Sequence, residues 1–264
     1  MTIPGKWADL RVRALSGLIV LVGGIGAVWF GGLPLFVLAV AMSALCLWEL
    51  ARLTDPDRSQ RSILIALLAA GSMAVILHEH SPFWLALLTL PSLAGQIGAR
   101  RDRLFFAIYA FAIMLAIYAF VAFRYGQGLS FALWLVLVVI ASDLMGYFGG
   151  RMIGGPKFWP RLSPKKTWSG TMAGWVGAGL VGLLFALYYS QSMGLILFSA
   201  LTAFAAQLGD IAESAIKRRA GVKDASNLIP GHGGLLDRFD AMIGAAVFVL
   251  AWAFSGLPLP SFEG

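Results

Sequence analysis

The chain has 264 residues, of which 59% are hydrophobic and only 12% charged, with a formal net charge of +7 and a mean hydropathy of +0.81. A water-soluble globule of this length carries roughly 25% charged residues, so the composition excludes an ordinary soluble domain and makes lipid the solvent for much of the surface. The positive balance calls for no nucleic-acid partner, because basic residues in a membrane protein mark cytoplasmic loops and contacts with anionic headgroups.

Residues 1–13 carry Lys6, Arg11 and Arg13 ahead of an apolar stretch, the outline of a secretory signal. The sequence then runs through Gly31-Gly32-Leu33-Pro34 into more apolar residues with no clear small-x-small cleavage site, so the stretch reads as a retained first span. Crossing the hydrocarbon takes about 20 apolar residues. Predicted spans cover 14–30, 33–50, 62–77, 83–97, 104–123, 129–148, 172–189, 194–215 and 235–254, about nine in all. The third and fourth are short enough to tilt or to lie partly at the interface. All are predicted helical, because a backbone in lipid satisfies its polar groups only within a helix or a closed barrel, and these runs are too long and uniformly apolar for barrel strands. The single cysteine, Cys46, lies in an apolar run and is read as packing.

The hydrophilic gaps test that count. The first, third, fifth, seventh and ninth hold 3, 3, 3, 5 and 5 Lys or Arg residues, counting with the ninth Arg238 at the start of the last span, whereas all the others together hold only Arg124. This alternation predicts a cytoplasmic N-terminus and an outside C-terminus. Two cytoplasmic connections, 149–171 and 217–237, are longer than the rest and rich in Lys, Gly and Pro, which places function on that face. No internal repeat is evident, which weakens an inverted-repeat transporter reading.

Ionisable groups inside a bilayer cost about 2.5–3.5 kcal/mol each on insertion scales, so Glu49, Asp143, Asp210, Glu213, Asp237 and Asp240 each need a reason. Glu49 lies one turn from Arg52 and is expected to form a helix-end ion pair. Gln207, Asp210, Ser214 and Lys217 are spaced by three, four and three and share one helical face, with Glu213 beside Asp210. On the next predicted helix Asp237 and Asp240 are one turn apart, with Arg238 between them. If these helix ends pack together, their carboxylates converge and need a proton or a cation between them. Oxygen ligands with no His/Cys set favour Mg²⁺ over zinc. Interhelical salt bridges with Lys217, Arg218 and Arg238 would account for the same charges, and composition leaves both readings open.

The connection 217–234 sets Lys217, Arg218 and Lys223 beside Gly221, Gly231, Gly233 and Gly234, and a second one reads Ser163-Pro164-Lys165-Lys166-Thr167-Trp168-Ser169-Gly170. Cations beside glycines suit phosphate groups, although anionic headgroups would be served equally. Neither segment is a Walker A sequence. His232 taken alone reads as structural.

The stretch from Ser214-Ala215-Ile216-Lys217-Arg218 through Lys223-Asp224 to Pro230-Gly231-His232-Gly233-Gly234-Leu235-Leu236-Asp237-Arg238-Phe239-Asp240 closely resembles the signature of the phosphatidate cytidylyltransferase (CDP-diacylglycerol synthase) family over 27 residues in register. Ser142-Asp143 with Tyr147, Ser163-Pro164-Lys165-Lys166-Thr167, and Gln207-Leu208-Gly209-Asp210 with Glu213-Ser214 are similar to further family elements. One departure is Ser169, where family members often carry glutamate, and no acidic role is carried over there.

The resemblance implies an all-α polytopic membrane protein, with residues 1–128 as an N-terminal group of spans offering a dimer face and 129–264 as the catalytic region. It implies transfer of cytidylyl from CTP to phosphatidic acid, giving CDP-diacylglycerol and pyrophosphate, in a homodimer among membrane lipids. A bacterial plasma membrane is expected, with the site facing the cytoplasm. By resemblance, Asp210 and Asp237 are the first choices for Mg²⁺ ligands, with Glu213 and Asp240 as outer ligands and a second cation as an option. Lys165, Lys166, Lys217, Arg218, Lys223 and Arg238 would hold phosphates, and Gly231 to Gly234 would admit the pyrophosphate to the backbone. Asp143 would complete the pocket, while Asp224 and His232 are signature positions of unassigned role. The rivals are a CTP-dependent lipid kinase, a cation or proton transporter, and an inactive scaffold.

Overall fold

The structure is a computed structural model that describes residues 6–57, 59–79, 81–97 and 102–262, without the side chains of 6–15 and 164. Arg58, Arg100 and Arg101, three of the loop charges counted above, lie outside the described residues. The chain is helical almost throughout: α1 (Lys6–Phe30), α2 (Gly32–Thr54), α3 (Ser59–Glu79), a 3₁₀ segment (Pro82–Thr89) running into α4 (Leu90–Ala94), α5 (Arg103–Gly126), α6 (Gly128–Met152), α7 (Trp168–Tyr188), α8 (Gly194–Arg219) and α9 (Leu236–Phe254). Between α6 and α7 a small antiparallel hairpin pairs β1 (Lys157–Trp159) with β2 (Ser163–Thr167).

Among the described residues six helices, α2, α3, α5, α6, α7 and α8, are long and apolar enough to cross a membrane, which makes the chain an all-α, multi-pass membrane protein. Three predicted spans fall outside that set for separate reasons. The helix α1 runs for 25 residues, of which Ser16–Phe30 is the fully described apolar part. The fourth predicted span is broken. Pro82 opens the 3₁₀ segment and Pro91 stands in the first turn of α4, where its missing N–H ends the preceding hydrogen-bond ladder. At about 2.0 Å per 3₁₀ residue and about 1.5 Å per α residue, Pro82–Ala94 reaches only about 24 Å. The last helix opens with Asp237, Arg238 and Asp240, which leaves a shorter uncharged run behind them.

The chain divides into two compact units, one formed by 1–114 with 220–238 and the other by 115–219 with 239–264. In the first, α2 packs along α3, and Leu35, Ala39, Cys46, Leu47 and Leu50 of α2 and Ile65, Ala69 and Met73 of α3 are buried. Cys46 is a free, buried thiol.

In the second unit small residues let helices approach closely, the usual device where lipid gives no hydrophobic drive for helix association. A Cβ on Gly170 of α7 would stand 2.6 Å from the Gly146 carbonyl of α6, and one on Gly182 would stand 2.7 Å from the Leu195 carbonyl of α8. Gly209 of α8 and Gly244 of α9 face each other in the same way, with virtual Cβ atoms 2.4 Å from the Asp240 carbonyl and 2.1 Å from the Ala205 carbonyl. The other end of this unit is an aromatic cluster. Trp134 stacks on Phe198 at 5.5 Å and donates to Ser199 Oγ, while Phe262 of the C-terminal tail packs on Phe131, Trp134, Phe185 and Tyr189.

Candidate active site

In the first unit the segment between α8 and α9 is an ordered loop. Ile229 donates to the Gly233 carbonyl at 2.8 Å, while the N–H groups of His232 and Gly233 return to the Ile229 carbonyl. The turn needs left-handed backbone at Gly231 (φ +76°) and Gly233 (φ +89°), which glycine adopts without strain. Asp237, in the first turn of α9, holds the loop's two ends together: its Oδ2 accepts from Ala225 N and from Gly234 N, both at 2.8 Å. A Cβ on Gly233 would sit 2.9 Å from that same oxygen. The glycines therefore make room first for a carboxylate of the protein itself.

Glu49 corrects the sequence reading. It is fully buried on α2, and its carboxylate accepts from Ser226 Oγ (2.5 Å), Leu235 N (2.9 Å) and Leu236 N (2.6 Å), all on the loop or the start of α9. The expected partner Arg52 instead lies over the Trp48 ring, 5.1 Å from its centroid. A carboxylate at the N-terminus of α9 meets unsatisfied N–H groups and the positive end of the helix dipole. A surface arginine offers far less to a fully buried acid.

His232 is half-buried. Its Nδ1 lies 3.0 Å from Ser16 Oγ of α1, which also donates to the Pro230 carbonyl, and its own carbonyl accepts from Arg238 at 2.7 Å. Lys223 and Asp224 are exposed. A cavity of about 660 Å³ lies between the end of α2 and this loop, lined by Trp48, Arg52, Asp224, Ser226 and Asn227 among others.

In the second unit the polar stripe of α8 forms as its spacing predicts. Gln207 is buried and fully used, donating to Ser142 Oγ and the Thr171 carbonyl and accepting from Trp175 Nε1. Asp210, 36% exposed, takes Lys166 Nζ on Oδ2 at 2.7 Å and Ser214 on Oδ1. Lys166 also reaches the Gln207 carbonyl, so β2 of the hairpin carries one lysine of the Ser-Pro-Lys-Lys-Thr element onto α8 while Lys165 stays exposed. One turn on, Glu213 is fully buried and held by Lys217 at 2.5 Å. Asp240 is buried near them, and its Oδ1 accepts from Ala241 N. The conditional packing of α8 against the α9 segment that carries Asp240 is thus realised, through Gly209 and Gly244.

Arg218 is exposed, and Asp143 is exposed next to a buried Ser142. Ser169 donates to the Gly154 carbonyl and lies 3.0 Å from Thr167 Oγ1, which caps α7 by accepting from Gly170 N. At this position serine ties the hairpin's entry to its exit, a task for a short hydroxyl.

Among the described residues no three His, Cys, Asp or Glu side chains form a ready-made metal shell. The donor chemistry still suits a hard cation, because the Lys166 ammonium already occupies a cation's place on a partly exposed Asp210 carboxylate.

Sequence reasoning gives Glu49 the wrong partner and misses Ser226. A glutamate in an apolar run flags an unusual site, but no local spacing names a partner 177 residues away.

The family comparison covers nearly the whole chain. A model of the cytidylyltransferase family matches residues 11–255. A phosphatidate cytidylyltransferase of Staphylococcus aureus (strain COL) is 30% identical over 249 residues, 89% of this chain and 95% of the relative. One of Staphylococcus saprophyticus is 31% identical with the same coverage, and one of Staphylococcus epidermidis is 30% identical. With the family model matching residues 11–255 of its 264, the chain belongs to the cytidylyltransferase family.

Proposed function

We propose that this chain is a phosphatidate cytidylyltransferase: it transfers cytidylyl from CTP to phosphatidic acid, giving CDP-diacylglycerol and pyrophosphate for phospholipid biosynthesis. The observation that carries the reading is the Lys166–Asp210 pair at the end of an apolar helix. It couples an acid that can take a cation with a cation that can take a phosphate, each occupying the other until substrate arrives. The relatives named phosphatidate cytidylyltransferase, matched over 95% of their length, supply the reaction.

The attacking group is an oxygen of the lipid phosphate, already ionised near neutral pH, so no side chain has to remove a proton. It bonds to the CTP α-phosphorus as the bond to the β-phosphate oxygen breaks, and the electron pair leaves with pyrophosphate. The protein's task is positioning and charge neutralisation. In this proposal Lys165, Lys166, Arg218, Lys223 and Arg238 hold phosphates, and Lys217 balances Glu213 and Asp240. Asp210 would hold Mg²⁺, which when bound neutralises charge on the phosphates, whereas Asp237 closes the signature loop through Ala225 N and Gly234 N. Asp237 lies three residues before Asp240 on the same helix.

The proposal extends to topology. Nine membrane passages, counting α1, the Pro82–Ala94 segment and α9, with a cytoplasmic N-terminus, account for the loop charges. The site would then face cytosolic CTP from the inner membrane of a bacterium, in a homodimer. The test is pyrophosphate release by the detergent-purified protein with CTP, phosphatidic acid and Mg²⁺, omitting each in turn. The reading requires all three, and release without phosphatidic acid would overturn it.

A further inference from the structure

A carboxylate with no exposed surface, set among apolar residues, is stable only if several donors reach it. Glu49 has them, and each belongs to the loop that carries the family signature. Ser226 Oγ bonds Oε1 on the entering side, while Leu235 N and Leu236 N bond the two oxygens on the leaving side. Between those points lies the Ile229–Gly233 turn, with its two left-handed glycines and His232. Gly234 packs so closely on the carboxylate that a Cβ there would fall 2.7 Å from Oε1. One residue of α2 thus fixes both ends of a turn made almost wholly by a distant part of the chain.

We infer that Glu49 is a positioning residue for the cytidylyl-transfer reaction: its buried charge clamps the 225–236 loop in the form that receives the nucleotide's phosphates. The inference rests on the function proposed above. Glu49 has no exposed surface with which to meet substrate. It acts through what it holds: Leu236 opens α9, Asp237 follows it, and Lys223 and Asp224 lead into the clamped segment. The cavity walled by Trp48, Arg52 and Ser226 shares this wall, so loosening the clamp also reshapes that space.

The test compares Glu49→Gln and Ser226→Ala with the parent protein, full-length in detergent. Hydrogen exchange of 222–236 is read with and without CTP, alongside kcat and KM for CTP per folded molecule. Glu49→Gln keeps the side chain's size but leaves one oxygen for three donors. It should speed exchange across 225–236 at least tenfold, raise KM for CTP at least tenfold and abolish slowing of exchange by CTP. Ser226→Ala should shift all three in the same direction by less. Parental exchange and KM in Glu49→Gln would overturn the inference. So would a loss of activity that merely tracks lost folded protein, with the survivors showing parental KM. An inactive parent protein would count against the function instead, and the exchange of 225–236 would still report on the clamp.

Discussion

The signature loop and the polar stripe of α8 use the same residue types in opposite ways. In the loop, the carboxylates of Glu49 and Asp237 accept backbone N–H groups, which are fixed in the chain and cannot leave without unfolding the turn. On α8, the carboxylates of Asp210 and Glu213 accept lysine ammonium groups at the ends of long flexible stems. Backbone partners make a scaffold, whereas ammonium partners make an exchangeable site, because another cation can replace an ammonium and a phosphate can claim it. Where a buried acid finds its donors therefore says more about its role than the acid itself does.

The largest effect should come from the exchangeable side. Asp210→Asn removes the charge that Lys166 balances and that a cation would use, and turnover should fall by about 10²–10³-fold. Steady-state pyrophosphate release at saturating Mg²⁺ checks this, and near-parental turnover would mean that Asp210 only anchors Lys166. Next is Lys166→Ala, which leaves Asp210 in place but removes a phosphate partner. It should cost kcat/KM for CTP about 10–100-fold, in line with about 1.4 kcal/mol per factor of ten. An effect on phosphatidic acid alone would assign this lysine to the lipid.

On the scaffold side effects should appear first as stability. Gly233→Ala forces a side chain into left-handed backbone, at a cost of about 1–2 kcal/mol, and drives it towards Asp237 Oδ2. Thermal unfolding in detergent should register that loss together with reduced activity. The smallest change is expected for Ser169→Ala, which removes the hydroxyl bridging Gly154 and Thr167. It should cost about 1 kcal/mol of stability and leave turnover within about twofold, since no role in substrate binding is given to it.

Much of this was legible in the sequence because it is local. The stripe Gln207, Asp210, Ser214, Lys217 depends only on helical spacing, and the helix forms with that face intact. The long apolar runs become helices for the reason that lipid permits little else. The fourth run is not one continuous helix: hydropathy counts Pro82 and Pro91 as harmless, whereas their missing donors break the ladder into 3₁₀ and α pieces. The hairpin inside 149–171 was too short to announce itself by alternation. Glu49 was misassigned to Arg52 because sequence proximity offers nearby partners only, and its actual donors come from the far end of the chain.

The central claim is tested most directly by following the label from CTP carrying ³²P at either the α or the γ position, supplied with phosphatidic acid, a lipid alcohol and Mg²⁺ to the purified protein. Cytidylyl transfer predicts that α-label enters the lipid and γ-label leaves as pyrophosphate. Label from the γ position in the lipid, with CDP as co-product, would contradict the account and make the protein a lipid kinase.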